Sequence, residues 1–350
     1  MFFTTIFYQI YLACQEFFCS STFFSKDIDR RSILDHTEDD TVNIVSVYRK
    51  IMKKAPRIIK RIISTVCFPF LCLSLFFAGA GRAAEPERVK SINHRGYSKV
   101  APENTLPAFE LSREKGFEYV EADVSFTKDG VPVLLHDAKI NRTARNEDGS
   151  KLKKGVSINN ITYEEALAYD FGIWKGKEFK GTKIPSFDEF LQLCKELHLH
   201  PYVELKENGA YTRDQIELLV EIAEEKDLQK DITWISFSEK FLSWVRDRDP
   251  EARLGLLERF LFSVDDYERT IIIAKNLQTE YNEVFLDVNM VPLLYDEHGT
   301  NIFISMCWEA GLPLEVWTVD QKDIVRNLDP YISGVTTNKL LYSEVINEEE

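Results

Sequence analysis

From residue 89 onward, short runs of β-branched and apolar residues alternate with stretches whose apolar positions recur every three to four residues. The first pattern is that of strands, the second that of helices with one buried face. Strands are predicted near 89–95, 118–126, 201–206, 232–237, 252–257, 283–289, 313–319 and 333–337. Helices such as Thr105–Lys115, Phe187–Leu197, Thr212–Glu225 and Tyr267–Asn276 fall between them. Such alternation implies parallel strands joined by crossover helices. Eight units in about 260 residues fit an α/β fold of the (β/α)8 TIM-barrel type, whose usual size is ~250 residues and whose sites gather at the C-terminal strand ends. A doubly wound open sheet is the runner-up.

Two segments break the alternation. Residues 138–184, rich in Lys, Gly and Asn, read as an insertion over the barrel mouth, a substrate lip rather than an independent domain. Residues 1–84 read as an address. Lys53, Lys54, Arg57, Lys60 and Arg61 precede an apolar run from Ile62 to Ala80, then small residues, then charged Glu85, Glu87 and Arg88. That is the layout of a secretory signal. The run is long enough to span a bilayer, so an uncleaved anchor is the alternative, and both place residues 85–350 outside the cytoplasm, periplasmic or secreted. The Phe-rich head and acidic patch before Met52 are out of place upstream of a signal, which makes Met52 a candidate start.

The composition supports one large packed domain, with 44% hydrophobic and 12% aromatic residues in 350. The formal charge is −14, and residues 85–350 alone carry 32 Lys or Arg against 50 Asp or Glu. No basic stripe is present to follow a nucleic-acid backbone, so nucleic acid is excluded as a partner; a phosphate-bearing substrate would need a local cationic site. Of six cysteines only Cys194 and Cys307 lie beyond residue 84, and they are expected to be buried thiols.

Chemistry-bearing residues converge at predicted strand ends. The second strand contains Glu121-Ala-Asp123 and runs through Lys128-Asp129-Gly130 into Val131-Pro-Val-Leu-Leu-His136-Asp137. Asp-Gly between alternating segments predicts a hairpin. A two-residue loop pairs Val124 with Leu135 and Asp123 with His136, and puts Glu121, Asp123 and His136 on one face. His94-Arg95-Gly96 ends the first strand, and Glu204 and Lys206 share a face of the third. Three carboxylates buried together require protonation or a bridging cation. An all-oxygen set favours Ca2+ or Mg2+, which leaves two His for acid and base work; Zn2+ with His ligands is the lesser alternative. Arg95 offers a donor fork and Lys206 a point charge for phosphate. His36, His198, His200 and His298 are read as structural, although His298 is expected in a loop at the mouth.

These residues resemble the glycerophosphodiester phosphodiesterase family of PLC-like TIM-barrel enzymes. The resemblance rests on His94-Arg95-Gly96, Pro102-Glu103-Asn104-Thr105, Glu121-x-Asp123, Thr127-x-Asp129-Gly130, His136-Asp137, Glu204-x-Lys206 and Val316-Trp317-Thr318-Val319, in family order across most of 90–340. It implies that Glu121, Asp123 and Glu204 hold one divalent cation, that His94 and His136 are the acid and base, and that Arg95 and Lys206 hold phosphate. Glu103 then orders the first loop or touches substrate, and Trp317 packs on glycerol carbons. The implied activity is hydrolysis of a glycerophosphodiester to glycerol 3-phosphate and an alcohol through a cyclic phosphate. The alternatives are a phospholipase D-like lyase or lysophospholipase D on the same barrel, or a non-catalytic exported phosphodiester-binding protein. The membrane enters only through the N-terminal segment. Two positions depart from the family pattern: Asn338 stands where Asp is commoner, and Asp320 where Asn is frequent. Both are read as bearing on substrate fit rather than catalysis.

Overall fold

A computed structural model of the chain describes residues 89–206 and 211–347. Residues 85–350 form one compact unit; the signal-like segment and Met52 lie outside the described residues. Among the described residues no helix is long and apolar enough to cross a membrane.

Eight parallel strands close into a barrel: β1 (Lys90–Asn93), β2 (Tyr119–Phe126), β4 (His200–Leu205), β5 (Thr233–Ser236), β6 (Arg253–Glu258), β7 (Val284–Asn289), β8 (Leu314–Trp317) and β9 (Ile332–Thr337). Each pairs with its neighbours, and β1 bonds both β9 and β2, which closes the ring. The short β3 (Pro132–Leu134) pairs antiparallel with the end of β2. Around the barrel run α1 (Leu106–Glu114), α2 (Tyr163–Leu167), α3 (Phe187–Leu197), α4 (Arg213–Glu225), α5 (Glu239–Arg248), α6 (Val264–Leu277), α7 (Met290–Tyr295), α8 (Glu297–Ala310), α9 (Lys322–Arg326) and α10 (Tyr342–Asn347).

The helices form where the sequence carries both a cap and a stripe. In α3, Phe187, Phe190, Leu191 and Cys194 are buried at helical spacing, and Ser186 and Glu189 make a reciprocal capping box. Thr212 and Gln215 do the same for α4, above buried Ile216, Leu219, Val220 and Ala223. These faces meet the outward residues of the strands, such as Val120, Ala122 and Val124, in one continuous core. Residues 138–184 close over a smaller core of Val133, Leu135, Ile140, Ile158, Phe171 and Ile184. Cys194 and Cys307 are buried free thiols, as expected.

Inward-facing positions are layered. At the N-terminal end Glu315 receives Lys90 at 3.1 Å, Arg253 at 2.9 Å and the Tyr202 hydroxyl at 3.2 Å. Above it Ile92, Ile235, Leu257 and Phe285 fill the lumen. This packed plug leaves the other rim for chemistry, the division of labour usual in such barrels.

The β2–β3 hairpin differs from expectation by one residue. Val124 pairs with Leu134, Ser125 with Val133 and Phe126 with Pro132, so the loop has five residues, not two. The Thr127 hydroxyl accepts from Val131 N at 3.0 Å and donates to Asp129 Oδ1 at 2.6 Å, while Gly130 adopts φ +83°. This side-chain network fixes a wider turn than the Asp-Gly pair alone implies. Leu135 N still bonds Asp123 O, but His136 lies beyond the end of β3.

Candidate active site

Three carboxylates meet inside the C-terminal mouth. Glu121 and Asp123 face inward from β2 and Glu204 from β4; their nearest oxygens all lie within 4.8 Å of one another. Each is buried, Asp123 completely. Asn104 holds Asp123 at both ends: its Nδ2 donates to Oδ2 at 2.7 Å and its Oδ1 accepts from the Asp123 backbone N at 3.1 Å. Asn104 does this from φ +55°, a conformation that a short polar side chain tolerates.

The cations lie directly against these acids. Lys206 Nζ is 2.8 Å from Glu204 Oε1 and 3.2 Å from Asp123 Oδ1. Arg95 Nε is 3.2 Å from Asp123 Oδ2, its Nη1 is 2.9 Å from Glu103, and its backbone N donates to Glu121 Oε2 at 2.9 Å. That backbone contact needs Arg95 at φ +57° followed by Gly96 at +75°. A Cβ on Gly96 would sit 2.8 Å from the Ala108 backbone, so only glycine fits. The cations do not saturate the cluster. Glu121 Oε1 and Asp123 Oδ1 remain buried without a hydrogen bond, because Lys206 is within ion-pair range of Asp123 Oδ1 but misaligned for one.

The charges sort the carboxyls. Burial works to raise Asp123, but Arg95, Lys206 and His136 outweigh it and hold it far below the usual range. Burial pushes Glu121 well up, helped by the charges of Asp123 and Glu204. Glu204 is raised by burial and by Asp123 to about 7. Two protonation-prone acids beside an ionised one, with two oxygens lacking hydrogen bonds, form a donor set suited to a divalent cation. Glu121, Asp123 and Glu204 would hold it.

Two imidazoles stand at the rim. The His94 ring, 22% exposed, has Nε2 4.0 Å from Glu121 Oε2, and its Nδ1 is 2.9 Å from Asn338 Oδ1. Burial, then Arg95, lowers its pKa to about 4, so the ring is neutral at physiological pH. His136 Nδ1 lies 2.7 Å from Asp137 Oδ1, and Asp137 is tied through Arg142 and Glu103 to Arg95 beside the carboxylates; His136 itself follows β3 rather than sharing the expected strand parity.

Sequence reasoning missed Arg142, and the pairing of Asp320 with Asn338. Arg142, in the insertion, donates to Glu103 at 2.6 and 2.8 Å and to Asp137 at 2.6 Å, clamping the first loop to the His136 segment. Glu103 thus orders the loop, between Arg95 and Arg142. Asp320 accepts from Asn338 N at 2.9 Å, Asn338 Nδ2 at 2.6 Å and Thr337 Oγ1 at 2.9 Å. Asn338 and Asp320, expected to bear on substrate fit, form the support behind His94. Trp317 ends β8 half-buried, with its indole N–H on Asp287 O at 3.0 Å and its ring edge-on to Phe237. His298 is an exposed residue of α8 rather than of a mouth loop, and His200 sits at the opposite end against Tyr119 and Asp231.

A family model described as the glycerophosphoryl diester phosphodiesterase family matches residues 94–341. The chain belongs to this family. A glycerophosphodiester phosphodiesterase of Caldanaerobacter subterraneus is 29% identical over 248 residues, 71% of this chain and 93% of its own. One from Bacillus subtilis is 26% identical over 296 residues, 79% and 92% of the two chains. Among solved structures, a glycerophosphodiester phosphodiesterase of Agrobacterium tumefaciens superposes with a TM-score of 0.57 at 22% identity, covering 72% of this chain and 96% of that one. An Oleispira antarctica phosphodiesterase, solved with the product sn-glycerol-3-phosphate, gives 0.58 at 21%, covering 74% and 97%. These superpositions show that the family's barrel is the fold found here. The matched range, 94–341, spans the whole cluster described above.

Proposed function

We propose that the protein is an exported, metal-dependent hydrolase that converts glycerophosphodiesters to glycerol 3-phosphate and a free alcohol. The observation that carries this is the buried triad of Glu121, Asp123 and Glu204, with ligand oxygens within 4.8 Å of one another and two carboxylate oxygens lacking a hydrogen bond. The name of the family and of its relatives supports the substrate class. The signal-like segment ahead of residue 85 supports export.

All-oxygen ligation favours Ca2+ or Mg2+. When bound, such an ion stabilises negative charge on a phosphate oxygen as a Lewis acid. The chain's own residues move the protons. Because the Asn338 amide nitrogen donates to Asp320, its oxygen faces His94, which therefore carries its hydrogen on Nδ1 and keeps an Nε2 lone pair free. That nitrogen accepts the proton of the glycerol hydroxyl nearest phosphorus as its oxygen bonds to the phosphorus. His136, with the Asp137 carboxylate behind its ring, gives a proton to the alcohol oxygen as its bond to phosphorus breaks. A cyclic phosphate results. Water then adds to it with the roles reversed, His136 taking the water's proton and His94 returning one to the glycerol oxygen. Arg95 and Lys206 shift from carboxylates toward phosphate oxygens as negative charge enters.

The test is turnover of glycerophosphocholine and glycerophosphoethanolamine by the full chain, with and without chelator and added Ca2+ or Mg2+. Chelator-insensitive activity sinks the metal assignment. Cyclic phosphate that persists in phosphorus NMR without a monoester makes the protein a lyase instead.

A further inference from the structure

His136, the proton donor proposed above, stands on a stretch of chain that no strand holds. β3 ends at Leu134, Leu135 N still bonds Asp123 O at 2.9 Å, and bridging resumes at Lys139, opposite Ser157. His136 and Asp137 lie in the bend between. Their side chains are 32% and 33% exposed, so packing alone does not fix them.

A chain of charge-assisted hydrogen bonds fixes them instead. His136 Nδ1 is 2.7 Å from Asp137 Oδ1, and Asp137 Oδ2 accepts from Arg142 Nε at 2.6 Å. Arg142 Nη1 and Nη2 donate to Glu103 Oε2 and Oε1 at 2.6 and 2.8 Å, and Arg95 Nη1 donates to Glu103 Oε1 at 2.9 Å. Arg142 thus spends one edge of its planar fork on each carboxylate, which a lysine cannot reproduce. Glu103 is the more buried of the two, 12% exposed against 33%, so it is the anchor and Asp137 the group being held. Burial works to raise the Asp137 carboxyl, but Arg142 and His136 outweigh it and keep it below the usual range, hence an acceptor. The His136 hydrogen on Nδ1 then points at Asp137, which leaves Nε2 to carry the proton that is given away. Arg142 is not needed to seat the insertion. Lys175 Nζ already ties it to Ser98 O in the first loop at 2.5 Å, and the insertion packs on its own core around Ile140.

We infer that Arg142 is a positioning residue for proton transfer: by fixing Asp137 it holds His136 with Nε2 toward the departing alcohol oxygen. The inference rests on the proposed phosphodiesterase reading and deepens it. In the cyclising step His94 Nε2 takes the proton of the glycerol hydroxyl, and that oxygen bonds to phosphorus. The bond from phosphorus to the alcohol oxygen breaks, its electron pair stays on that oxygen, and the oxygen takes the His136 Nε2 proton. An alkoxide such as that of choline is a poor leaving group and depends on this proton. A 4-nitrophenolate leaves as a stable anion and does not. Loss of His136 alignment is therefore felt with the first leaving group and not with the second.

The test measures kcat/KM for choline release from glycerophosphocholine and for nitrophenolate release from glycerol 3-(4-nitrophenyl phosphate), with Ca2+ or Mg2+ present. Both report the cyclising step and not the later opening of the ring. The proteins are the full chain, its Arg142→Gln, Asp137→Asn and double variants, and His136→Ala for calibration. Arg142→Gln is expected to lower kcat/KM for glycerophosphocholine by at least about tenfold and for the nitrophenyl ester by less than about twofold. Asp137→Asn is expected to show the same split, and the double variant to fall no more than about twofold below the worse single one, since the two residues act as a unit. Arg142→Lys keeps the charge without the fork; it shows the split as well and carries the test if Arg142→Gln does not fold. Equal losses on both substrates overturn the inference, because Arg142 then acts through Glu103 on Arg95 or on the fold. No loss on either, or additive losses in the double variant, also overturns it. A His136→Ala variant without the split removes His136 as proton donor and the inference with it. Turnover of neither substrate by the parent overturns the phosphodiesterase reading itself.

Discussion

Asn338 donates its side-chain amide to Asp320 at 2.6 Å while its oxygen meets His94 Nδ1 at 2.9 Å. One residue thus passes the orientation of a carboxylate on to a ring nitrogen. The two positions that the sequence reading singled out, Asp320 and Asn338, are hydrogen-bonded partners. Their arrangement sets a neutral amide oxygen, not a carboxylate, against His94.

The pair is expected to be non-additive. Asp320→Asn removes the charged acceptor of three donors, and Asn338→Asp sets two carboxylates against each other; either is expected to lower kcat by roughly tenfold or more through misorientation of His94. The double exchange restores complementarity and is expected to recover most of the loss, with a coupling of about 1–3 kcal/mol. Measuring kcat, KM and Tm for the three variants checks this. Additive losses would show that the two residues act separately.

His94→Ala and His136→Ala are each expected to lower kcat/KM for glycerophosphocholine by ~100- to 10,000-fold, the usual range for acid–base groups, without loss of cation binding by calorimetry. A protein that only binds phosphodiesters would have no turnover to lose.

The barrel was legible because each strand is a short apolar run and each long helix carries a stripe, signals that need no knowledge of distant sequence. The acids and cations were legible for the same reason: alternation puts Glu121 with Asp123 and Glu204 with Lys206, and strand ends put them at one rim. The register expected for His136 was wrong, since the Thr127–Asp129 network that widens the turn involves side chains rather than spacing. Arg142, Asp320 and Asn338 act across 39, 18 and 244 positions of chain from their partners Glu103, Asn338 and His94. No local pattern encodes such contacts.

The acidic cluster makes metal-free stability depend on pH. Glu121 and Glu204 have folded-state pKa values above their unfolded ones, Glu204 at about 7. Their favourable protonated state is fully present below the unfolded carboxylate range, and stability is lost as pH rises through the folded values. Chelated protein is therefore expected to show Tm falling between pH 5 and 8, from these groups. Saturating Ca2+ or Mg2+ is expected to reverse the fall, with ~2.7 kcal/mol gained at a hundredfold excess over Kd, on the order of 5 °C or more. Differential scanning calorimetry at several pH values decides it; a Tm at pH 8 that is unmoved by either ion sinks the site.

Glu121→Gln separates the cost of the cluster from its use. The substitution keeps the shape while removing a charge that burial and its acidic neighbours oppose. At pH 8 the metal-free variant is expected to be at least as stable as the parent, yet to gain little Tm from added ion and to lose turnover. A variant destabilised without metal but still stabilised by it would contradict the assignment of Glu121 as a ligand.

Deeper in the lumen, Asp287 and Glu315 occupy paired positions on adjacent strands, and opposite outcomes are expected of them. Both are 1% exposed, but Glu315 Oε1 is met by Lys90, Arg253 and Tyr202, whereas Asp287 Oδ1 has no hydrogen-bond partner. Burial, then the charges of Glu315 and Glu204, pushes the Asp287 carboxyl well up. Folding at neutral pH must therefore keep or supply a proton that the unfolded chain gives up, a cost that grows as pH rises above the unfolded carboxylate value. Asp287→Asn removes that cost, and its amide gains a potential acceptor in the unpaired Glu315 Oε2. It is expected to stabilise the protein at pH 7 to 8 by about 1 kcal/mol or more, and not at pH 4. Glu315→Gln leaves Arg253 and Lys90 facing each other without the charge between them and is expected to destabilise by ~3 kcal/mol or more. Urea denaturation of both variants at the two pH values checks the signs; a loss of stability in Asp287→Asn at pH 8 would show that its carboxylate is ionised and satisfied in the folded protein.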